Sequence, residues 1–217
     1  MIICVDGPAA SGKSTIAKLI ANQLGFVYID TGAMYRAVAL CSKNNNISLN
    51  DLIALEKMLS EMFLEFKILD GERRLFLNGE DVSEAIRTPE ISKLSSAIAT
   101  IKIVREKMVD AQRKLGERDN VILDGRDIGT VVFPNADYKF FLTASLDERA
   151  KRRLKELQEK GINSDFEQVR TEMKWRDSND SNRMESPLVK AGDAIEIDTT
   201  ELTIEETVNM ILRMINK

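Results

Sequence analysis

The chain has 217 residues, 43% of them hydrophobic and 30% charged, with a formal net charge of −4. That length supports one domain with a sizeable core and small inserted lobes, and the mild acidity argues against a nucleic-acid partner. No apolar run approaches about 18 residues, so no membrane span is expected, and a strand begins at once, so a cytoplasmic chain without a signal peptide is expected. Histidine is absent, which excludes an imidazole base. Cys4 and Cys41 have neither metal spacing nor a disulfide framework and read as small buried residues.

Met1–Asp6 is a short apolar run that reads as a buried parallel strand. Gly7-Pro8-Ala9-Ala10-Ser11-Gly12-Lys13-Ser14 follows, the G-x-x-x-x-G-K-S pattern of a phosphate-binding loop. From Ser14 through Thr15 to Leu24, apolar Ile16, Leu19, Ile20 and Leu24 recur at helical spacing, and Gly25 stops the helix. Strand, glycine loop and helix are the setting this motif requires. Gly7 and Gly12 let backbone N–H groups approach an anion, and the helix start adds its dipole. Lys13 puts a charge on the β- and γ-phosphates, and the Ser14 hydroxyl can reach magnesium. The motif points to a nucleoside triphosphate and leaves its use open.

Phe26–Ile29 reads as a second strand, and Asp30 or Thr31 as the cap of the next helix. Arg36 falls in the first turns of that helix, where it opposes the dipole; a bound anion or plain exposure would explain it. Residues 43–48 read as a loop. Asn50 or Asp51 opens a helix to Met62, with Leu52, Leu55, Met58, Leu59 and Met62 inward. The period then becomes two: Leu64, Phe66 and Ile68, a turn at Asp70-Gly71, then Leu75 and Leu77, a second turn at Asn78-Gly79, and a short strand near Val82. This predicts a small antiparallel lobe inserted in a βα chain. Helices are expected at about 89–99 and 102–117.

Asn120–Asp124 is the next buried strand. Asp124, closing an apolar strand in a chain with a phosphate loop, is the candidate for the magnesium shell, with a helix cap as the alternative. A strand at 138–142 leads into a helix to about Lys160, on which Arg149, Arg152 and Arg153 share a face. Spacing leaves two readings of that face open, a solvated basic surface and an anion site. Asp165 caps a helix to about Asp180, which leads into the polar run Arg176–Arg183, of a kind more often an exposed loop than a site. A fifth strand at 194–198 and a helix capped by Thr203, with Ile204, Val208, Ile211, Leu212 and Ile215 inward, end the chain.

With these stretches in place, the chain resembles the nucleoside monophosphate kinases, and among them the bacterial cytidylate kinases. The resemblance is carried by Asp6–Ser14, Asp30-Thr31-Gly32-Ala33-Met34-Tyr35-Arg36, Asp124–Pro134, and the Arg176–Arg183 run with Ser186-Pro187-Leu188. It covers essentially the whole chain. It implies an α/β P-loop kinase fold: a five-stranded parallel sheet wrapped by helices, with an inserted small antiparallel β lobe and a helical lid. The implied core is 1–35, 106–147 and 165–217, the monophosphate-binding lobe 36–105 with its insertion at about 63–82, and the lid 148–164. The implied reaction is ATP + CMP (or dCMP) ⇌ ADP + CDP (or dCDP), with Mg2+ as cofactor, in a monomer.

The resemblance also implies residue roles. Gly7, Pro8, Ala9, Ala10, Ser11, Gly12, Lys13, Ser14 and Thr15 would bind ATP, with Ser14 and Asp124 at the metal. Arg36, Arg105, Arg126 and Arg183 match contacts around the acceptor phosphate, and Ser96, Arg105 and Asp127 the base-recognition set. Asp180 matches the residue holding the sugar hydroxyls. Thr31 stands in the CMP set where some relatives have Ser, and Ser14 stands where some have Gly. Lys13, Arg126, Arg149, Arg152 and Arg153 are the expected catalytic cations. The physics agrees, since a phosphate monoester is mostly ionised at neutral pH and needs cancellation of charge repulsion more than a general base. The rival readings are a kinase for another small acceptor such as UMP, AMP or shikimate, and a nucleotide switch of the GTPase type, whose N-K-x-D-like signature is lacking.

Overall fold

The computed structural model describes residues 1–69, 71–117 and 119–216. In chain order the elements are β1 (Ile2–Asp6), α1 (Lys13–Leu24), β2 (Val27–Asp30), α2 (Thr31–Asn44), α3 (Leu52–Glu61), β3 (Leu64–Leu69), β4 (Glu72–Leu77), β5 (Glu80–Asp81), α4 (Pro89–Ile98), α5 (Lys102–Gly116), β6 (Val121–Gly125), β7 (Tyr138–Thr143), α6 (Leu146–Glu159), α7 (Phe166–Asn182), β8 (Ile195–Asp198) and α8 (Ile204–Ile215). A 3-10 turn at Ala85–Arg87 and a π turn at Ile128–Val132 complete them. The chain divides into two compact units, one of residues 1–29 with those from 115 onward, the other of Asp30–Lys114.

The first unit is built on a five-stranded sheet in the order β2-β6-β1-β7-β8, with parallel pairing of β1 to β6, β1 to β7 and β7 to β8. Its strands are apolar because helices cover both faces. Ile3, Val5, Ile122, Phe140 and Leu142 pack with Ile16 and Ile20 of α1 and with Val208, Ile211 and Ile215 of α8. Fully burying such a side chain contributes about 1.5–3 kcal/mol. Register decides where the chemistry sits: Val5 stands opposite Asp124, and Asp6 opposite Gly125. The loop leaving central β1 is therefore flanked by the end of β6, the position where open α/β sheets bind ligands. Ile204, expected inward, is 54% exposed, because it occupies the first turn after the Thr203–Glu206 capping box, ahead of the stripe that meets the sheet.

A smaller apolar cluster joins α6 to α7 through Ala150, Leu157, Val169 and Met173, with Ala9 and Ala10 of the glycine loop packed against it. The Arg176–Arg183 run is the end of α7, not an exposed loop, and Asp180 and Arg183 in it are buried. Arg183 donates from Nε to the Ser186 carbonyl at 2.6 Å, and the Leu188 N–H to the Asp180 carbonyl at 2.8 Å, folding the chain back on the helix end.

In the second unit Asp30 caps α2, its carboxylate accepting from the Ala33 N–H at 2.8 Å. Helix α2 runs through Asn44, so the expected loop starts two residues late. Helix α3 buries Leu55, Met58 and Leu59, whereas Leu52 in its first turn is exposed. Strands β3, β4 and β5 form the antiparallel sheet, with Leu64 opposite Leu77 and Ile68 opposite Arg73. Leu75 and Leu77 are buried, but Ile68 is 74% exposed: the hairpin tip extends past its core, so the alternation continues without anything to bury against. The Asn78-Gly79 turn forms with positive φ at both residues. The expected Asp70-Gly71 turn includes Asp70, which lies outside the described residues.

Candidate active site

The glycine loop leaves β1 so tightly that a Cβ on Gly7 would lie 2.0 Å from the Leu142 carbonyl oxygen of β7, and Gly7 sits at φ 150°. Ala10 and Gly12 also have positive φ, the alternation that points successive N–H groups to one side as an anion nest. Lys13 opens α1, buried, and donates from Nζ to the Pro8 carbonyl at 2.9 Å. Burial, with Arg126 and Arg176 nearby, pulls its ammonium down to about 7 against the opposing pull of Asp124 and Asp180. Ser11 is wholly buried, and Ser14 and Thr15 lie exposed on the first turn of α1.

The Ser14 hydroxyl donates to Asp124 Oδ2 at 2.6 Å, and the Tyr28 hydroxyl to Asp124 Oδ1 at 2.8 Å. Asp124 is thus drawn to the phosphate loop and opens no helix, so the cap alternative is removed. Beyond it, Arg126 Nε donates to Asp180 Oδ2 at 2.8 Å, and Arg183 Nη2 stands 3.5 Å from Asp127 Oδ1. Burial alone would raise the Asp180 carboxyl, but Arg126, Arg176 and Arg183 outweigh it and hold it below the usual carboxylate range.

The three α6 arginines do not act as one unneutralised face. Arg149 is buried, ion-paired to Asp177 at 2.8 Å, and donates to the carbonyls of Ala144 (2.9 Å) and Ala9 (3.3 Å). Arg152 pairs with Glu148 and donates to the Thr199 carbonyl at 2.6 Å, while Thr199 itself reaches the Ser11 carbonyl at 3.1 Å. Arg153 turns away to Glu156 at 2.7 Å. Each guanidinium has its own carboxylate, which removes the mutual repulsion inferred from spacing.

In the second unit Thr31, Ser96 and Arg105 are buried. Arg105 lies over the Tyr35 ring, 5.4 Å from its centroid, and donates to the Ala99 carbonyl at 3.1 Å. Arg36 is neither exposed in solvent nor in need of an anion to be stable at a helix start: it pairs with the cap residue Asp30 at 2.9 Å. Burial would raise the Asp30 carboxyl, but Arg36 and the Ala33 N–H prevail and hold it low.

The cytidylate kinase family model matches residues 3–217. The chain belongs to the cytidylate kinase family. It is 50% identical over its full length to a cytidylate kinase of Lactobacillus gasseri, 94% of which is covered, and 52% identical to one of Fusobacterium nucleatum, 98% of which is covered. In fold it is similar to a shikimate kinase from Bacteroides thetaiotaomicron, with a TM-score of 0.52 at 13% identity, covering all of this chain and 99% of the other. A family of P-loop phosphotransferases accounts for the five-stranded sheet, the separate small sheet and the loop at the end of β1.

Within this kinase frame, five side chains join the cluster that residue-by-residue reading missed: Asp6, Tyr28, Arg176, Asp177 and Thr199. Arg176 lies four residues before Asp180 on α7, a spacing that could have revealed it. Asp6 is a charge at the end of a buried apolar strand, also a visible signal. Asp177 and Thr199 act on residues 28 and 47 positions away, and nothing local marks them.

Proposed function

We propose that the chain transfers the γ-phosphoryl group of ATP in line to CMP or dCMP, giving ADP and CDP or dCDP. What carries this reading is that Arg126, Arg176, Asp124 and Asp180 all act on buried Lys13 in a chain of this family. Residues 7–15 would hold the triphosphate through backbone N–H groups and Lys13. Arg36, Arg105, Arg126 and Arg183 would neutralise the acceptor phosphate. Ser96, Arg105 and Asp127 would read the base: Ser96 and Asp127 accept from the cytosine amino group, Arg105 donates to its ring acceptors, and a base that left them unpaired would be rejected. Asp180 would orient the sugar hydroxyls, and Thr31 would add a hydroxyl to the CMP set.

The residues present also fit Mg2+. That ion takes one or two protein oxygens beside substrate phosphates, and the Ser14 hydroxyl and Asp124 carboxylate stand together at the loop. Bound there it would offset charge on the β- and γ-oxygens. Arg149 and Arg152, tied to the loop carbonyl of Ala9 and to Thr199, are poised to exclude water and to add positive charge at the triphosphate. Residues 36–105 would serve as the monophosphate lobe and 148–164 as the lid. Two buried free thiols accord with work in the reducing cytoplasm, and the chain would act as a monomer. Steady turnover of CMP, measured against UMP, AMP and no acceptor, tests the reading; equal turnover of UMP, or hydrolysis of ATP alone, would refute it.

A further inference from the structure

Asp6 is 95% buried at the end of β1, and the kinase mechanism above gives it nothing to do. Its two oxygens accept from two consecutive N–H groups across the sheet, Oδ1 from Ile128 at 2.9 Å and Oδ2 from Gly129 at 2.8 Å. These are the first N–H groups of the π turn Ile128–Val132, which have no partner within the turn. The residue in the capping position is Asp127, a type well suited to take them. Yet the Asp127 side chain makes no capping bond; it stands 3.5 Å from Arg183. Asp6 caps this turn from 122 positions away in its stead. The Lys139 stem closes the cradle from behind: a Cβ on Gly129 would meet Lys139 Cδ at 3.1 Å and Asp6 Oδ2 at 3.4 Å.

We propose that Asp6 is a positioning residue for acceptor recognition: by capping the turn in place of Asp127, it leaves the Asp127 carboxylate directed to Arg183 and to the acceptor. The inference rests on the proposed role of Asp127 in reading CMP. An Asp6→Asn change keeps the shape but sets an amide NH2 against one of the two N–H groups. Asp127, which holds the capping position of the turn, then takes that N–H, and turning toward it breaks the contact with Arg183.

The test is a double-mutant cycle on the full chain with Asp6→Asn and Asp127→Ala, reading KM for CMP and for ATP, with amide exchange at Ile128 and Gly129. Asp6→Asn is expected to raise KM for CMP about tenfold and KM for ATP less than about twofold, the size of losing one charge-assisted hydrogen bond. In the Asp127→Ala background the same change is expected to do nothing more to CMP. Additive effects on CMP, or equal rises for both substrates, would overturn the proposal, since a merely structural role acts on both. If Asp127→Ala alone leaves CMP kinetics unchanged, the reading of Asp127 fails. The exchange data then judge the cap: faster exchange confined to Ile128 and Gly129 supports it, and unchanged exchange sinks it. Should Asp6→Asn not fold, Gly129→Ala disturbs the same cradle from the Lys139 side and enters the cycle in its place.

Discussion

Arg126 Nε donates to Asp180 Oδ2 at 2.8 Å, and neither side chain is more than 16% exposed. Arg126 follows the end of β6 while Asp180 lies in the last turn of α7, so the pair ties the C-terminal end of an interior strand to that helix. Removing Arg126 takes the hydrogen-bonded countercharge from a buried carboxylate on which only Arg176 and Arg183 still act, which costs about 3 kcal/mol, the low end for a broken buried pair. Arg126→Leu is therefore expected to lower the unfolding free energy by about 3 kcal/mol at pH 8. Without Arg126, burial is opposed only by Arg176 and Arg183, so the Asp180 carboxyl rises from its depressed position. The native state then gains by protonation, and the loss shrinks toward pH 5. Urea unfolding at both pH values checks it; a loss that does not vary with pH contradicts the assignment.

Two arginines four residues apart on α6 should differ sharply. Arg149 is buried against Asp177 and touches the Ala9 carbonyl, whereas Arg153 pairs only locally with half-exposed Glu156. Arg149→Ala is expected to lower kcat on the order of a hundredfold, as for loss of a preorganised charge. Arg153→Ala should change kcat less than about threefold and stability less than about 1 kcal/mol, the worth of an exposed pair. Similar kcat losses in the two variants would restore the shared-face reading.

The strands and helices were legible because their signals are local: apolar runs at 1–6 and 120–124, and capping residues Asp30, Asp51, Ser145, Asp165 and Thr203. The phosphate loop was legible from residue types alone. Spacing identified which α6 arginines share a face, but a face does not name partners. Glu148 and Glu156 sat within four residues of Arg152 and Arg153, and weighing them would have shown that each of these arginines has a local carboxylate. Asp177 and Thr199 were out of reach, since only the folded chain brings them to α6. Leu52, Ile68 and Ile204 keep the periodicity of buried positions but lie at element ends where the core has stopped.

Lys13 gives the free protein a titration near neutrality. Its ammonium stands at about 7, lowered by burial and then by Arg126. The triphosphate anion favours the charged form, so ATP binding above pH 7 takes up a proton. ATP affinity is accordingly expected to fall by up to about tenfold per pH unit above 7. Calorimetry in buffers of different ionisation enthalpy counts that proton. Lys13→Met should lose it, leaving only the protons of ATP itself; identical counts in both proteins would reject the coupling.

Asp6 gives the stability of the protein a pH dependence of its own. Burial is the main cause raising its carboxyl to about 6, with Asp127 adding to it and the two N–H groups and Arg126 opposing; Cys4 on the same strand and Lys139 on β7 are the other titratable groups nearby. Against an unfolded value of 3.8, the native state binds more protons than the unfolded chain between those limits. Unfolding free energy from this group is therefore greatest below pH 3.8 and falls as pH rises through 6, by at most about 3 kcal/mol. Asp180 and Asp30 are held low and contribute the reverse, stability that is lost as pH falls, so the whole-protein curve mixes signs. The difference between Asp6→Asn and the parent isolates the term. Relative to the parent, the variant's Tm should rise steadily from pH 4 to pH 7, because it lacks the carboxylate that becomes costly to bury. A difference flat across that range would mean that Asp6 keeps its ordinary titration in the folded protein.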